Sequence, residues 1–391
     1  MNLRSAIASL ALSLVPLIGQ NISPISREGA FWTQTVSGSL PASPLTRLRI
    51  QTEGAVSVRG SETSHIVYVL KRRTRARTAA EAENVFHDLL VKTRPQGQWV
   101  WLVAANPKRR SYSAELTVEV PRALRQAWIE TLGGAVQAAD LSGEVQAQTG
   151  GGRVDIDRIG ASAVAKSGGG EIRVGRVLGG VRCYSAGGGI RVESAGLESW
   201  FETAGGDIYI REARGPVHAS TAGGNIHVER SASEVYAHTA GGVIEIDQAG
   251  GQVTADTSGG AIAVTAARNV RCQSTAGLIR LRNVGGALRA TTASGSILAL
   301  VTGGRIEDSL LSTASGDITV FLASNIALTI QARNESAGNA GKIVSDFPEI
   351  QVKKAGVANA NPALAEGALN GGGPVLRIVA SGGTIYLRRQ K

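Results

Sequence analysis

Five side chains with recognition chemistry recur along this 391-residue sequence at spacings that suit one surface: Tyr184, Trp200, His218, Tyr236 and His238, with Arg182 beside them. Trp200, His218 and Tyr236 are 18 residues apart. Aromatic and imidazole side chains on neighbouring strands, flanked by a cation, make a shallow platform suited to glycans or peptides. The plainer reading is that such rings merely cover strand surface. A metal site is not expected, because His218 and His238 would sit on a diagonal of roughly 7–8 Å and no carboxylate or cysteine completes a ligand set. No cofactor motif is present.

Acidic residues give little basis for catalysis. Asp155 with Asp157, and Glu245 with Asp247, alternate along one strand, but neither pair faces a matched general acid or base. The reading is therefore a non-catalytic exported module, structural or adhesin-like, with a polysaccharide-active β-helix enzyme as the alternative. The formal net charge is +10, densest in K-R-R-T-R-A-R, where Lys71, Arg72, Arg73, Arg75 and Arg77 lie. A solvated strand end and loop is expected there. Such charge attracts anionic polymers without specificity, and no nucleic-acid motif accompanies it. Envelope glycans, anionic polymers and surface proteins are the partner classes that fit.

The elements that must position these residues are set by a repeat. Gly134, Gly152, Gly170, Gly188, Gly206, Gly224, Gly242 and Gly260 are each 18 residues apart, and the column continues through Gly277, Gly295 and Gly316. Three residues before each stands Thr or Ser, as at Thr149, Ser167, Thr221 and Thr257. Apolar pairs alternate after each glycine, such as Ile208 with Ile210 and Ile226 with Val228, and a smaller pair follows nine residues later, such as Val217 with Ala219. Alternation implies strands with one buried face, and side-chain identity at every second strand implies parallel stacking. The fold class is all-β: a parallel β-solenoid with 18-residue coils and two short strands per coil. The recurrent corner glycine answers either to positive φ or to a backbone approach that a Cβ would block.

The sequence divides into a signal peptide over 1–30, cleaved between 19 and 30; a capping segment over 31–121 with strands and one helix, Ala79 to Val91; solenoid repeats over 122–330; and a C-terminal loop with one last coil over 331–391. Location is then the periplasm, the cell surface or outside the cell, with no membrane span in the mature chain. Capped ends are expected because open edge strands template aggregation. Cys183 and Cys272 occupy small inward positions about five coils apart, on the order of 24 Å, which is too far for a disulfide.

The order of parts resembles the bacterial putative-adhesin β-strand-repeat family of unknown function, the toast-rack domains. The resemblance rests on E-V-P at Glu119 to Pro121 leading to T-L-G-G-A-V at Thr131 to Val136, on T-A-G-G coils, on K-I-V-S-D-F-P at Lys342 to Pro348, and on S-G-G-T-I-Y-L at Ser381 to Leu387. It implies a right-handed, single-stranded β-helix-like fold and an exported location. It supplies no catalytic residues.

Overall fold

The computed structural model describes residues 20–87, 89, 91–105, 112–302, 306–336, 342–353 and 362–390. The stretch up to residue 19, the main part of the expected signal peptide, lies outside them. The chain divides into two compact units, Met1–Leu197 and Glu198–Lys391. Each is built from a first sheet carrying the larger inward pairs and a second sheet carrying the smaller ones, and the strands stack in parallel at the 18-residue period. In the second unit Ile208, Ile226 and Ile244 lie in register on the first sheet and are at most 1% exposed. The β-solenoid expected from the sequence is present.

The corner explains the glycine column. In the first unit the Thr149 hydroxyl donates to the Gly134 carbonyl one coil earlier (2.8 Å) and accepts from the Gly152 amide in its own coil (3.0 Å). Thr239 in the second unit does the same with Gly224 O (2.9 Å) and Gly242 N (3.1 Å). These hydroxyls are buried, so each must be satisfied, and each clamps two coils together. A Cβ on Gly242 would stand 1.9 Å from Gly224 O. Close backbone approach, not positive φ, therefore selects glycine at Gly152, Gly170, Gly224 and Gly242, whereas Gly316 has φ +136° as well.

In the first unit the stacking begins earlier than residue 122. Arg47–Thr52 pairs in parallel with Gln126–Thr131 on one side and Trp99–Ala104 on the other. Ala55–Ser61 likewise lies between Val136–Leu141 and Ser113–Pro121. Thr52 and Gly54 extend the corner ladder, for Thr131 Oγ1 donates to Gly54 O at 2.6 Å. Antiparallel strands then cover the end: His65–Thr74 on Ser113–Pro121, Phe31–Pro41 on His65–Thr74, and Lys92–Gln96 on Trp99–Ala104. The 31–121 segment thus combines coil and cap.

The helix is shorter than expected, Ala79–Phe86 rather than Ala79 to Val91. Thr78 caps its start by accepting from the Glu81 amide (3.2 Å). Arg72 meets this end, its guanidinium donating to the carbonyls of Phe86 (2.7 Å) and Leu89; Leu89 and Val91 are buried, and residues 88 and 90 of the expected helix lie outside the described residues.

The C-terminal segment of the second unit also departs from expectation. The stretch read as a loop holds strands Leu328–Asn334, Lys342–Ser345, Gln351–Lys353 and Ala363–Leu369. The coil at the sequence end is not last in space. Val375–Ala380 lies between Ser309–Ser315 and Leu328–Asn334, and Thr384–Arg389 lies between Ile318–Leu322 and Lys342–Ser345. Antiparallel Ala363–Leu369 then closes the edge left by Leu328–Asn334.

Cys183 and Cys272 are free and buried, and burial pushes both thiols up from their ordinary values. Among the described residues no helix is long and apolar enough to cross a membrane.

Candidate recognition face of the second sheet

In the second unit the outward positions of the second sheet form two columns, two residues apart along each strand. Trp200, His218, Tyr236, Thr254, Arg271 and Arg289 follow one another in register in the first column. Glu202, Ser220, His238, Asp256, Gln273 and Thr291 do so in the second.

Three of the expected platform residues come together as a stack. Trp200 and His218 have ring centroids 4.9 Å apart at an interplanar angle of 7°, and His218 and Tyr236 are 4.8 Å apart at 3°. Rings so close and so parallel cannot be coplanar without overlapping, so their faces are turned to one another. What meets solvent is ring edges, not the row of open faces that a sugar-stacking platform requires. Carboxylates hold the edges: His218 Nε2 is 3.2 Å from Glu198 Oε1, and the Tyr236 hydroxyl donates to Glu234 Oε2 at 2.6 Å. That hydrogen bond raises the Tyr236 phenol above its ordinary value. Glu198 and Glu234 were not singled out in the sequence, although each lies two residues before a ring-bearing strand position.

The remaining platform residues are placed differently. His238 is in the second column, in register with Ser220 and Asp256. Tyr184 and Arg182 belong to the first unit. Tyr184 occupies the later outward position of its strand, in register with Lys166, whose Nζ is 5.5 Å from the ring centroid, while Arg182 is in register with Val164. Within the second unit the strand positions give a three-ring column, with His238 in the column beside it.

The basic run is not one solvated patch either. Arg72 is 2% exposed, donates to Gln34 Oε1 (2.6 Å) as well as to the helix end, and lies 5.1 Å from the Phe86 ring centroid. Burial lowers its pKa to about 10. Lys71 pairs with Glu28 (3.3 Å), Arg73 donates to Ser113 Oγ (2.8 Å), Arg75 lies over Phe31, and the Arg77 backbone amide binds Glu81. Alternation along a strand splits a linear charge run between core and surface.

The first unit also carries a cation–π ladder. Trp101, Arg49 and Trp128 are in register, with the Arg49 guanidinium carbon 4.6 Å and 4.2 Å from the two ring centroids and its Nη2 on Glu130 (3.2 Å). The signal was available, because Trp128 stands 18 residues before Gln146.

Three of the four acids considered for catalysis have cationic or imidazole neighbours. Asp155 pairs with Arg153 (2.7 Å), Asp157 with Arg158, and Asp247 with His227 (3.1 Å). Among the described residues no group of three or more His, Cys, Asp or Glu could hold a metal.

No curated protein matches this chain. Solved structures similar to this chain include a "putative cell adhesion protein" from Clostridium sporogenes, at 9% identity over 90% of this chain and 99% of that one with TM-score 0.17; and a "putative adhesin" from Bacteroides fragilis, at 12% identity over 67% and 95% with TM-score 0.29. Residues 214–346, which include the T-A-G-G coils at Thr221 and Thr239 and end within K-I-V-S-D-F-P, match the family model Toastrack DUF4097.

Proposed function

We propose that this protein is an exported, non-catalytic, adhesin-like binding module of the bacterial cell envelope, and that the outward face of the second sheet in Glu198–Lys391 is its recognition surface. The observation that carries this reading is the face itself: a stacked Trp200–His218–Tyr236 column beside a column of polar side chains on rigid, fully paired strands. A rigid strand scaffold fixes side chains before a ligand arrives, which lowers the ordering cost of binding. Export is supported by the charged start and apolar run from Ala6 to Ile18. Ion pairing of Asp155 and Asp157 with Arg153 and Arg158 supports a binding role over hydrolysis.

The test is retention of the purified chain on a bacterial envelope fraction, with a reducing-end assay run on the same polysaccharides. Binding without turnover is expected, and substitution of second-column residues should weaken it. Release of new reducing ends would favour the β-helix enzyme instead, and absence of envelope binding would remove the adhesin-like reading.

A further inference from the structure

A groove of about 580 Å³ runs along the second sheet and its corner in the second unit, from His238 past Asp256 to Ser312 and Ser381. That volume falls in the range of small-ligand sites. Its hydroxyls are of two kinds. Thr257, Ser274, Thr292 and Thr313 are committed to the corner ladder, donating to Gly242, Gly260, Gly277 and Gly295. Ser258, Gln273, Thr275, Thr291 and Ser312 have side chains with no hydrogen-bond partner among the described residues. Asp256 adds a sharper sign, for its Oδ1 is buried with no hydrogen-bond partner among the described residues. A buried carboxylate oxygen left unpaired is costly, and a donor from outside the chain would relieve that cost.

Beside the groove stands an unrelieved positive charge. Arg271 is two residues from Gln273 and Arg289 two residues from Thr291, so both guanidinium-bearing chains leave the same face as the groove lining. Arg271 and Arg289 are directly opposite in the parallel ladder, both exposed, and neither has an ion-pair partner among the described residues. Like charges directly opposite on neighbouring strands repel, and an anion bridging them would turn that repulsion into binding.

Taken together, and resting on the reading of this face as a recognition surface, the geometry points to an acidic polysaccharide as the ligand: a uronate-type chain whose carboxylates pair with Arg271 and Arg289 while its hydroxyls bind Asp256, Gln273 and Thr291. Sugar hydroxyls both donate and accept, which suits a lining that offers amide, hydroxyl and carboxylate groups. Nucleic acid is a poorer match, because base stacking needs open aromatic faces and those of the Trp200–His218–Tyr236 stack are turned on each other.

Isothermal titration of the full chain at near-physiological salt tests this, using oligogalacturonate, a neutral dextran of similar length and inorganic polyphosphate, with envelope retention measured in parallel. Oligogalacturonate should bind, dextran and polyphosphate far more weakly. The Arg271→Gln/Arg289→Gln variant should lose at least about tenfold in affinity for the uronate, and Gln273→Ala several-fold, both with unchanged melting. Equal binding of polyphosphate, or an Arg271→Gln/Arg289→Gln variant that binds uronate unchanged, would overturn the proposal. Envelope retention without uronate binding would sink the ligand class and leave the binding module standing, whereas loss of both would sink the two together.

Discussion

Trp200 and His218 stack face to face across adjacent coils, 4.9 Å between centroids and 7° from parallel, and Tyr236 extends the stack. Their energy is thus directed along the solenoid. Offset aromatic pairs contribute about 0.5–1.5 kcal/mol beyond area burial. A double-mutant cycle between His218→Ala and Tyr236→Ala, read by chemical denaturation, should return a coupling in that range. Coupling near zero, with a large loss of glycan affinity, would show that the rings act on ligand and not on one another.

Neighbouring glycines should behave oppositely. A Cβ on Gly242 would meet Gly224 O at 1.9 Å, while one on Gly241 finds nothing nearer than 3.8 Å. Gly242→Ala should therefore cost about 1–3 kcal/mol or more by forcing coils apart. Gly241→Ala should stay within about 0.5 kcal/mol. Similar melting losses for the two would contradict the close-approach account of the column.

Arg72 should be a stability residue of the N-terminal segment. Arg72→Ala removes the donor to Phe86 O, Leu89 O and Gln34 Oε1 and leaves buried acceptors unmatched. Leaving buried acceptors unsatisfied costs about 1–3 kcal/mol. Hydrogen exchange over Ala79–Phe86 should rise sharply in this variant, whereas Arg75→Ala, on the exposed strand end, should leave it unchanged.

Acid stability should carry the signature of Asp140. Its carboxylate accepts from Arg158 Nε (2.6 Å) and Nη2 (3.0 Å), with Arg59 at 3.3 Å, and the Arg158 hydrogen bond is the main cause holding its pKa down at about 2. The folded value is depressed, so the contribution is full above the unfolded value of about 4 and is lost as pH falls toward about 2. Asp140→Asn, which suits the positive φ of 62° at this position, should be less stable than wild type at pH 6. The gap should close between about pH 4 and pH 2 in urea melts, and a gap that persisted below pH 2 would rule the pair out as its source.

The period and alternation of this sequence determined the stacking, the inward ladders and the corner, because parallel coils place like residues on like neighbours. Ile208, Ile226 and Ile244 needed no coordinates to be assigned to one ladder. Neither did the burial of Cys183 and Cys272. The ends were harder to read. The coil at Val375–Ala380 intercalates between earlier strands, and Arg47–Thr52 lies between later ones, a choice made by edge pairing between residues far apart in sequence. The helix end meets a guanidinium 14 residues upstream of Phe86. The candidate site shows the same division. Spacing put Trp200, His218 and Tyr236 in one column, but rotamers turned their faces inward on the stack. Which polar groups remain uncommitted, Asp256 Oδ1 above all, follows from the hydrogen bonds their neighbours make, and only the tertiary structure decides that.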